Sequence, residues 1–260
     1  MFTFVDDLKL EMEDNILNQI SQLLKQNPQN FSIVEEQIDI EIQIAYFKMS
    51  KSVKESKSNE PFDVLRTKLQ DETIDNEDKK KILTILASDE NVESYREIER
   101  FYNETEGEMH LWASLALRES KMMLETYLLE EKQVLISTGL GGKGTKLRYF
   151  IVLISKTNSP FNETQKKVIK NEFEDVLGDV GGVIESIDYD SVYAKILALI
   201  DIEVSLKEVL KRAVGECNVF GDFIIPDFVI TNVKIFSTEE IDKFLQDAEY
   251  EEDDVEELPL

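Results

Sequence analysis

Glycine and positive charge are concentrated between residues 139 and 148, in a combination that suits anion binding. The chain has no acidic residue between Glu131 and Glu163, although its acids outnumber its bases by 54 to 29. Backbone N–H groups in glycine-rich turns can surround an anion, and basic side chains add attraction. We call residues 139–148 the glycine loop. Its candidate ligand-binding residues are Gly139, Gly141, Gly142, Lys143, Gly144, Lys146 and Arg148.

The chemistry of this loop allows two interpretations. A phosphate-binding loop ends in Gly-Lys-Ser/Thr and leads into a helix, whereas Lys143 is followed by Gly144 and then by the strand-like run 147–154. Glycines cluster just as readily at a plain hairpin tip between two strands. The loop is thus either a contact site for a nucleotide or RNA phosphate or an ordinary turn.

Two pairs of carboxylates lie at strand spacing, where they could hold Mg²⁺. Asp188 and Asp190 are two residues apart, as are Asp201 and Glu203, so each pair shares one strand face. Aspartate is also common at turns, and the chain lacks the Gly-Gly-Asp/Glu-Asp/Glu-Phe sequence of metal-dependent cyclases. We therefore expect no bound metal at these positions.

Groups for nucleophilic or zinc chemistry are too few to form a catalytic set. His110 is the only histidine and Cys217 the only cysteine, whereas a zinc site needs three or four such ligands. No Gly-x-Ser-x-Gly sequence marks a serine nucleophile. We expect no cofactor, and the sequence favours a protein without catalytic activity over an enzyme.

The secondary structure that positions these residues is predicted to change from helices in the first half of the chain to mixed strands and helices in the second. Nine of the ten glycines lie at or after Gly139, and a long stretch with little glycine favours helices. Apolar residues recur every three or four positions, which predicts helices at residues 4–24, 62–70, 75–87, 91–103 and 107–130. Residues 33–47 alternate between apolar and polar, so this segment is either a helix or a strand. The polar run 50–61 predicts a connection.

The short helix pairs between residues 60 and 130 resemble HEAT or armadillo-type repeats in their spacing. No repeat motif emerges when the pairs are aligned, so an irregular helical bundle is the alternative. Such a helical module would give the first half of the chain a groove for a partner protein.

The second half predicts an α+β module. Strands are expected at 132–138, 147–154, 183–190, 192–202 and 223–236, with helices from residue 162, from 205 to 215 and from 237 to 246. From Leu147 onward the order is βαββαβ, which is that of the ferredoxin-like fold. The predicted fold class is an N-terminal helical bundle, with HEAT-like helix pairs as one option, followed by a ferredoxin-like module with an extra N-terminal strand and a C-terminal helix.

These patterns divide the chain into a helical domain at 1–131, a ferredoxin-like α+β domain at 132–246 and an acidic disordered tail at 247–260. The tail has eight acids and no base, a composition typical of disordered interaction segments. Residues 1–131 contribute 29 acids against 15 bases, whereas residues 132–246 are almost balanced, with 17 against 14.

Composition narrows the expected partners and location. A net charge of −25 disfavours nucleic acid and anionic membranes over most of the surface. The chain shows no signal peptide, no apolar run long enough to span a membrane and only one cysteine, so we expect a cytoplasmic protein. The sequence predicts a non-catalytic interaction or adaptor protein that binds another protein through its helical half and acidic tail. The alternative is a nucleotide- or RNA-phosphate-binding regulatory protein that uses residues 139–148.

Overall fold

The computed structural model describes residues 2–3, 31–56, 60–129 and 134–256. The predicted helix at 4–24 and the last four residues of the predicted tail lie outside these ranges. Within them the chain mixes helices with an antiparallel main sheet, in agreement with the α+β prediction. Two compact units divide the chain: residues 22–144 form the helical unit, and residues 1–21 together with 145–260 form the sheet unit.

The described part of the helical unit contains five helices and three short strands. The helices are α1 (Ile40–Ser56), α2 (Phe62–Gln70), α3 (Asn76–Ala87), α4 (Val92–Glu104) and α5 (Gly107–Leu129). After β1 (Phe2–Thr3), which belongs to the sheet unit, the strands are β2 (Phe31–Ile33), β3 (Val134–Ile136) and β4 (Gly142–Lys143).

Helices α2 to α5 begin and end within a residue of their predicted positions, and the starts of α3 and α4 are set by local capping bonds. The side chain of Asp75 accepts the N–H of Asp78 at 2.8 Å, and that of Asn91 accepts the N–H of Glu93 at 2.9 Å. These bonds satisfy backbone donors that the first turn of a helix leaves without partners. The core that joins the helices includes Tyr46, Leu83, Leu86, Ile98, Trp112 and Leu115.

Residues 33–47 contain the end of a strand and the start of a helix. β2 ends at Ile33, an irregular link follows, and α1 begins at Ile40. The side chain of Asp39 accepts the N–H of Glu41 at 2.7 Å and so supports the start of the helix. The connection predicted at 50–61 is wrong over its first half, because α1 continues to Ser56 with Ser50 on its buried face.

The extra strand predicted for the α+β module belongs instead to the helical unit. β3 pairs in parallel with β2, with Phe31 opposite Val134. The N–H of Val34 donates to the carbonyl of Ile136 at 2.9 Å and extends this pairing. Sequence patterns do not identify such a partner, because the two strands are far apart in the chain. The division between the two compact units falls after Gly144.

The described part of the sheet unit contains one antiparallel sheet and three helices. Its strands are β1, β5 (Lys146–Ser155), β6 (Val183–Asp190), β7 (Tyr193–Asp201) and β8 (Ile224–Thr231). Its helices are α6 (Glu163–Asp179), α7 (Leu206–Val219) and α8 (Thr238–Glu256). Neighbouring strands run antiparallel in the order β1-β8-β5-β7-β6.

The two central strands of this sheet form the middle of its core. Ile151 of β5 lies opposite Ile196 of β7, and Leu153 lies opposite Ala194, with all four side chains fully buried. The near-continuous apolar sequence of β5 reflects burial on both faces of the sheet. Helices α6 and α7 pack on each other and bury Ile169, Phe173, Leu177, Leu210, Ala213 and Cys217.

The end of α7 differs from the prediction. The helix passes through Gly215, where it was expected to stop, and ends at Val219. The side chain of Asn218 accepts the backbone N–H groups of Phe223 at 3.0 Å and Ile224 at 2.9 Å. These bonds fix the turn into β8, and helix α7 therefore ends directly after Asn218.

The last strand and helix also differ in length from the prediction. β8 ends at Thr231 rather than at residue 236, and α8 runs to Glu256 rather than to residue 246. Helix therefore covers residues 247–256, which were expected to be disordered. The hydroxyl of Tyr193 in β7 donates to Asp242 at 2.6 Å and ties the start of α8 to the sheet.

Candidate functional site

The first half of the glycine loop is a packing contact. Residues 139–142 are buried, whereas Lys143 and Gly144 are exposed. Gly141 has a φ of +66°, and a β-carbon there would lie 2.5 Å from the carbonyl oxygen of Glu36. Only glycine permits so close an approach of two backbone segments. This half of the loop therefore lies against the link between β2 and α1.

The three basic residues of the glycine loop have different surroundings. Lys146 donates to the carbonyl of Gly181 at 2.5 Å, and Arg148 forms an ion pair with Glu185, with 3.0 Å between Nη2 and Oε1. Lys143 is exposed and has no ion pair within the described ranges. The unit boundary divides the candidate residues, with Lys143 in the helical unit and Lys146 and Arg148 in the sheet unit.

Two of the carboxylates considered for Mg²⁺ are engaged by neighbouring side chains. Asp190 accepts hydrogen bonds from Thr238 and, at 3.2 Å, from Lys195, and these contacts lower its pKa, with Thr238 contributing most. Asp201 accepts the hydroxyl of Thr145 at 2.6 Å. Across the described residues, no group of three potential metal ligands comes together.

His110 and Cys217 are held in separate structural roles. The ring of His110 stacks on Tyr102 with 4.2 Å between centres, and its Nδ1 lies 3.0 Å from the carbonyl oxygen of Tyr102. Cys217 is fully buried, and burial raises the pKa of its thiol to about 12, with a further contribution from the charge of Glu172. A thiol kept in its protonated form is a weak nucleophile.

A surface that sequence reasoning did not single out has the features of a binding site. Ile40, Ile44 and Phe47 are large and apolar, yet they are 37%, 47% and 40% exposed. Their spacing of four and three residues places them on one side of α1. Lys51 and Lys54 continue the same row toward the end of the helix. This face is therefore apolar at its start and basic at its end.

Two cavities run along this face and share Phe47 and Lys51 in their walls. The first, of about 410 Å³, lies between α1 and Ser137. The second, of about 620 Å³, lies between α1, Met122 of α5 and Val134 of β3. The two cavities lie along the same helix and share Phe47 and Lys51, and we call them together the α1 groove.

A buried carboxylate lies in the wall of the second cavity. Glu119 of α5 is 3% exposed and accepts hydrogen bonds from the hydroxyls of Tyr46 at 2.5 Å and Ser50 at 2.6 Å. Lys54 pairs with the same carboxylate at 2.5 Å, while its side chain stays 43% exposed. Burial, followed by the charge of Glu119, raises the pKa of Tyr46 well above its usual value. The phenol therefore keeps its proton and remains a donor.

The α1 groove carries positive charge on a chain that is strongly acidic. Lys48, Lys51 and Lys54 lie along it, against Glu55 and the already paired Glu119. Lys48 and Lys51 are exposed and have no ion pair in the part of the chain that the structure describes. Their charge is therefore available to a ligand in the groove.

Sequence reasoning missed the α1 groove for two reasons. The alternating isoleucines from Ile38 to Ile44 indicate a strand as readily as a helix. The exposure of Ile44 and Phe47 depends on which tertiary neighbours pack against them, and a sequence pattern does not contain that information. The only local signal was the spacing of Lys48, Lys51 and Lys54 at three-residue intervals.

Comparison with known proteins suggests no function, so a functional assignment has to rest on the geometry of the structure. The chain matches no protein-family model and no curated protein sequence. Among the residues that the structure describes, no helix combines the length and the apolar character needed to cross a bilayer. A proposed function must therefore follow from the shape and chemistry of the α1 groove.

Proposed function

We propose that this is a non-catalytic interaction protein that binds another protein through the α1 groove. The observation that carries the proposal is the exposed row of Ile40, Ile44 and Phe47 beside a cavity. Burial of apolar surface contributes about 25 cal/mol per Å², so a partner that covers this row gains affinity. Clustered apolar side chains at helical spacing are a common feature of docking sites.

The length of the groove suits a helical segment of the partner. At 1.5 Å per residue, Ile40 and Lys54 are separated by about 21 Å along the axis of α1. A partner helix of about four turns has this length. Phe47 lies near the middle and contributes to both cavities, which is the position that dominant interface residues usually take.

The polar groups of the groove support binding rather than turnover. The carboxylate of Glu119 already accepts hydrogen bonds from Tyr46 and Ser50 and forms an ion pair with Lys54. Such a group has little capacity to take a proton from a substrate. Ser50 directs its hydroxyl at this carboxylate and is 4% exposed, so its oxygen is poorly placed to attack a ligand in the cavity.

We also infer that the sheet unit is ferredoxin-like and serves as a scaffold. The element order β5-α6-β6-β7-α7-β8 and the strand order β8-β5-β7-β6 support this inference. The fold by itself specifies no ligand. HEAT-like pairing of the helices, docking by residues 247–260, a regulatory role and a cytoplasmic location stay predictions.

Anion binding at the glycine loop also stays a prediction, and the geometry gives it less support than the groove. Residues 139–142 are buried, and Lys146 and Arg148 are engaged by neighbouring groups. Lys143 is the exposed cation of the loop. A nucleotide site would have to assemble around that one side chain, which is fewer charged contacts than phosphate binding usually employs.

Site-specific photo-crosslinking of the full-length protein tests the proposed function. A photoreactive phenylalanine analogue is placed at Phe47 in cells that naturally produce the protein. The matched control position is Phe220 of the sheet unit, which is 64% exposed. We expect a discrete protein adduct from position 47 and none from position 220. An added Ile44→Asp substitution should reduce the adduct by about tenfold, since it places a charge in the apolar row.

The same experiment can contradict the proposal. Equal adducts from positions 47 and 220 would show that crosslinking reports exposure alone. An adduct at position 47 that is unchanged by Ile44→Asp would show that the apolar row of α1 does not hold the partner. Either result would remove the α1 groove as the docking site.

A further inference from the structure

We propose that the partner segment is an acidic amphipathic helix. Its apolar residues cover Ile40, Ile44 and Phe47, and its carboxylates face Lys48 and Lys51. This inference rests on the proposed function and specifies the chemical class of its partner. Charge complementarity carries the inference, because the groove combines an apolar row with exposed positive charges on an otherwise acidic chain.

Lys48 and Lys51 are the positive charges that a ligand meets first. Both are exposed, and neither has an ion pair within the described ranges. Being three residues apart, they are separated by about 4.5 Å along the helix axis. Carboxylates three or four residues apart on an opposing helix have a similar spacing. The two lysines can therefore each face one acid of the partner.

The net charge of the whole chain makes this arrangement selective. With −25 charges overall, most of the surface attracts a basic partner and repels an acidic one. An acidic helix is attracted where lysines are exposed, and in the α1 groove Lys48 and Lys51 lie beside an apolar row that the helix can cover. A basic helix would be distributed over the acidic surface and would meet repulsion at Lys48 and Lys51.

Lys54 has a supporting role in this site. Its ammonium group is held 2.5 Å from the buried carboxylate of Glu119. A partner carboxylate that approaches Lys54 also meets the negative charge of Glu119, so the attraction there is weaker. Recognition of acids therefore depends mainly on Lys48 and Lys51, whereas Lys54 forms the ion pair with Glu119.

The shape of the groove favours a helix over a membrane surface or a nucleic acid. The inner side of α1 is fixed in the core by Gln43, Tyr46 and Val53, and its outer side lines cavities of about 410 and 620 Å³. Helices that bind membranes lie flat with one open apolar face. Nucleic acids need a row of cations along their phosphates, whereas half of this face is aliphatic or aromatic.

Fluorescence anisotropy with the full-length protein and three designed peptides tests the inference. Each peptide has about 16 residues, enough to form a helix when bound, with leucines along one side. The polar side carries glutamate in the first peptide, glutamine in the second and lysine in the third. We expect the glutamate peptide to bind at least about tenfold more tightly than the lysine peptide, with the glutamine peptide between them.

Charge reversal provides the matched comparison. The double variant Lys48→Glu with Lys51→Glu should invert the order of the peptides, so that the lysine peptide binds best. The control variant, Lys167→Glu with Lys211→Glu, makes the same change in net charge at exposed positions of α6 and α7. It should keep the original order, because these lysines are in the sheet unit and outside the groove.

Three results would overturn the inference. Equal affinities for the three peptides would remove the acidic class while leaving protein docking in place, which the crosslinking experiment tests separately. Binding of vesicles made from equal parts of phosphatidylcholine and phosphatidylserine, without peptide binding, would identify a membrane instead. Binding of the glutamate peptide only after removal of residues 247–260 would identify the chain's own acidic end as the occupant.

Discussion

Glu119 connects the core of the helical unit to the groove on its surface. The residue is buried in α5, but its partners all lie on α1: Tyr46 and Ser50 donate hydrogen bonds to it, and Lys54 forms an ion pair with it. A buried carboxylate is tolerated only when its lone pairs are satisfied. This contact therefore fixes the rotation of α1 about its axis, and with it the residues that face outward.

Replacement of Glu119 should weaken the helical unit. Glu119→Gln keeps the shape of the side chain but removes the charge that holds Lys54, and it turns one acceptor into a donor facing a donor. We expect a loss of about 1–3 kcal/mol in the free energy of unfolding, measured by urea denaturation. The control is Glu125→Gln on the same helix, where the ion pair with Lys121 is longer, at 3.8 Å, and partly exposed.

Glu125→Gln should change the free energy of unfolding by less than about 0.5 kcal/mol. If the two variants lose similar stability, Glu119 is not the contact that fixes α1. Crosslinking from position 47 gives a second measurement. A rotated α1 should lower crosslinking in Glu119→Gln even at temperatures where the variant stays folded.

The thiol of Cys217 makes the free energy of unfolding depend on pH in the alkaline range. Its folded pKa is raised to about 12 from an ordinary value of 9.0, so the folded protein keeps a proton that the unfolded chain releases. The resulting stabilisation is fully present below pH 9 and is lost as the pH rises toward 12. We expect the free energy of unfolding of the wild type to fall more between about pH 8 and about pH 10.5 than that of Cys217→Ala.

The alanine variant serves as its own comparison, because every other group that titrates in this range is common to both proteins. Measurements in reductant prevent oxidation of the thiol in the unfolded chain. Parallel pH curves for the two proteins would contradict the raised pKa. Rapid reaction of the native thiol with a disulfide reagent at neutral pH would contradict its burial.

At the scale of single elements, the glycine loop offers a direct test of packing. Gly141 and Gly144 both have positive φ, at +66° and +61°, but only Gly141 approaches another backbone segment, at Glu36. Alanine at either position adds backbone strain of about 1–2 kcal/mol. At Gly141 the new β-carbon also collides with a carbonyl, which adds about 1–3 kcal/mol.

We therefore expect Gly141→Ala to lower the free energy of unfolding by at least about 1 kcal/mol more than Gly144→Ala. Urea denaturation of both variants measures the difference, and the shared strain cancels. Equal losses would mean that the loop does not rest on the link between β2 and α1. A phosphate site would instead predict similar stabilities and a loss of ligand binding in both variants.

The elements also show which parts of the fold the sequence could predict. The caps Asp75 and Asn91 act within one turn, so the starts of α3 and α4 could be predicted to within a residue. The pairing of β2 with β3 depends on residues distant in the chain, so a sequence pattern does not reveal it. The end of α7 depends on Asn218 and its bonds beyond the helix, which a glycine-based rule does not include.

The candidate site was harder to predict than the fold. Glycine and positive charge predicted a candidate site at residues 139–148, because anion-binding loops have a recognisable composition. The α1 groove has no such composition, since Ile40, Ile44 and Phe47 would equally well form a core. Their exposure follows from the absence of a packing partner among the described residues, and this is a tertiary property.

At the scale of the whole molecule, charge is distributed unevenly and acts in two opposite ways. The excess of acids lies mainly in residues 1–131 and 247–260, so like charges repel within the folded state. In the α1 groove Lys48 and Lys51 provide positive charge within this excess of acids. There the lysines would attract an acidic partner. Added salt screens both interactions, so it should raise the stability of the folded protein and weaken the binding of an acidic partner.

We expect the urea midpoint of the full-length protein to rise as sodium chloride increases from about 0.05 to about 0.5 M, because the Debye length falls and self-repulsion is screened. Over the same range the affinity for the glutamate peptide should fall, whereas the affinity for the glutamine peptide should change little. Sodium chloride is preferred to sulfate, because sulfate also strengthens apolar burial. If the midpoint and the glutamate affinity both rise, the attraction in the groove is absent, and if both fall, the self-repulsion is absent.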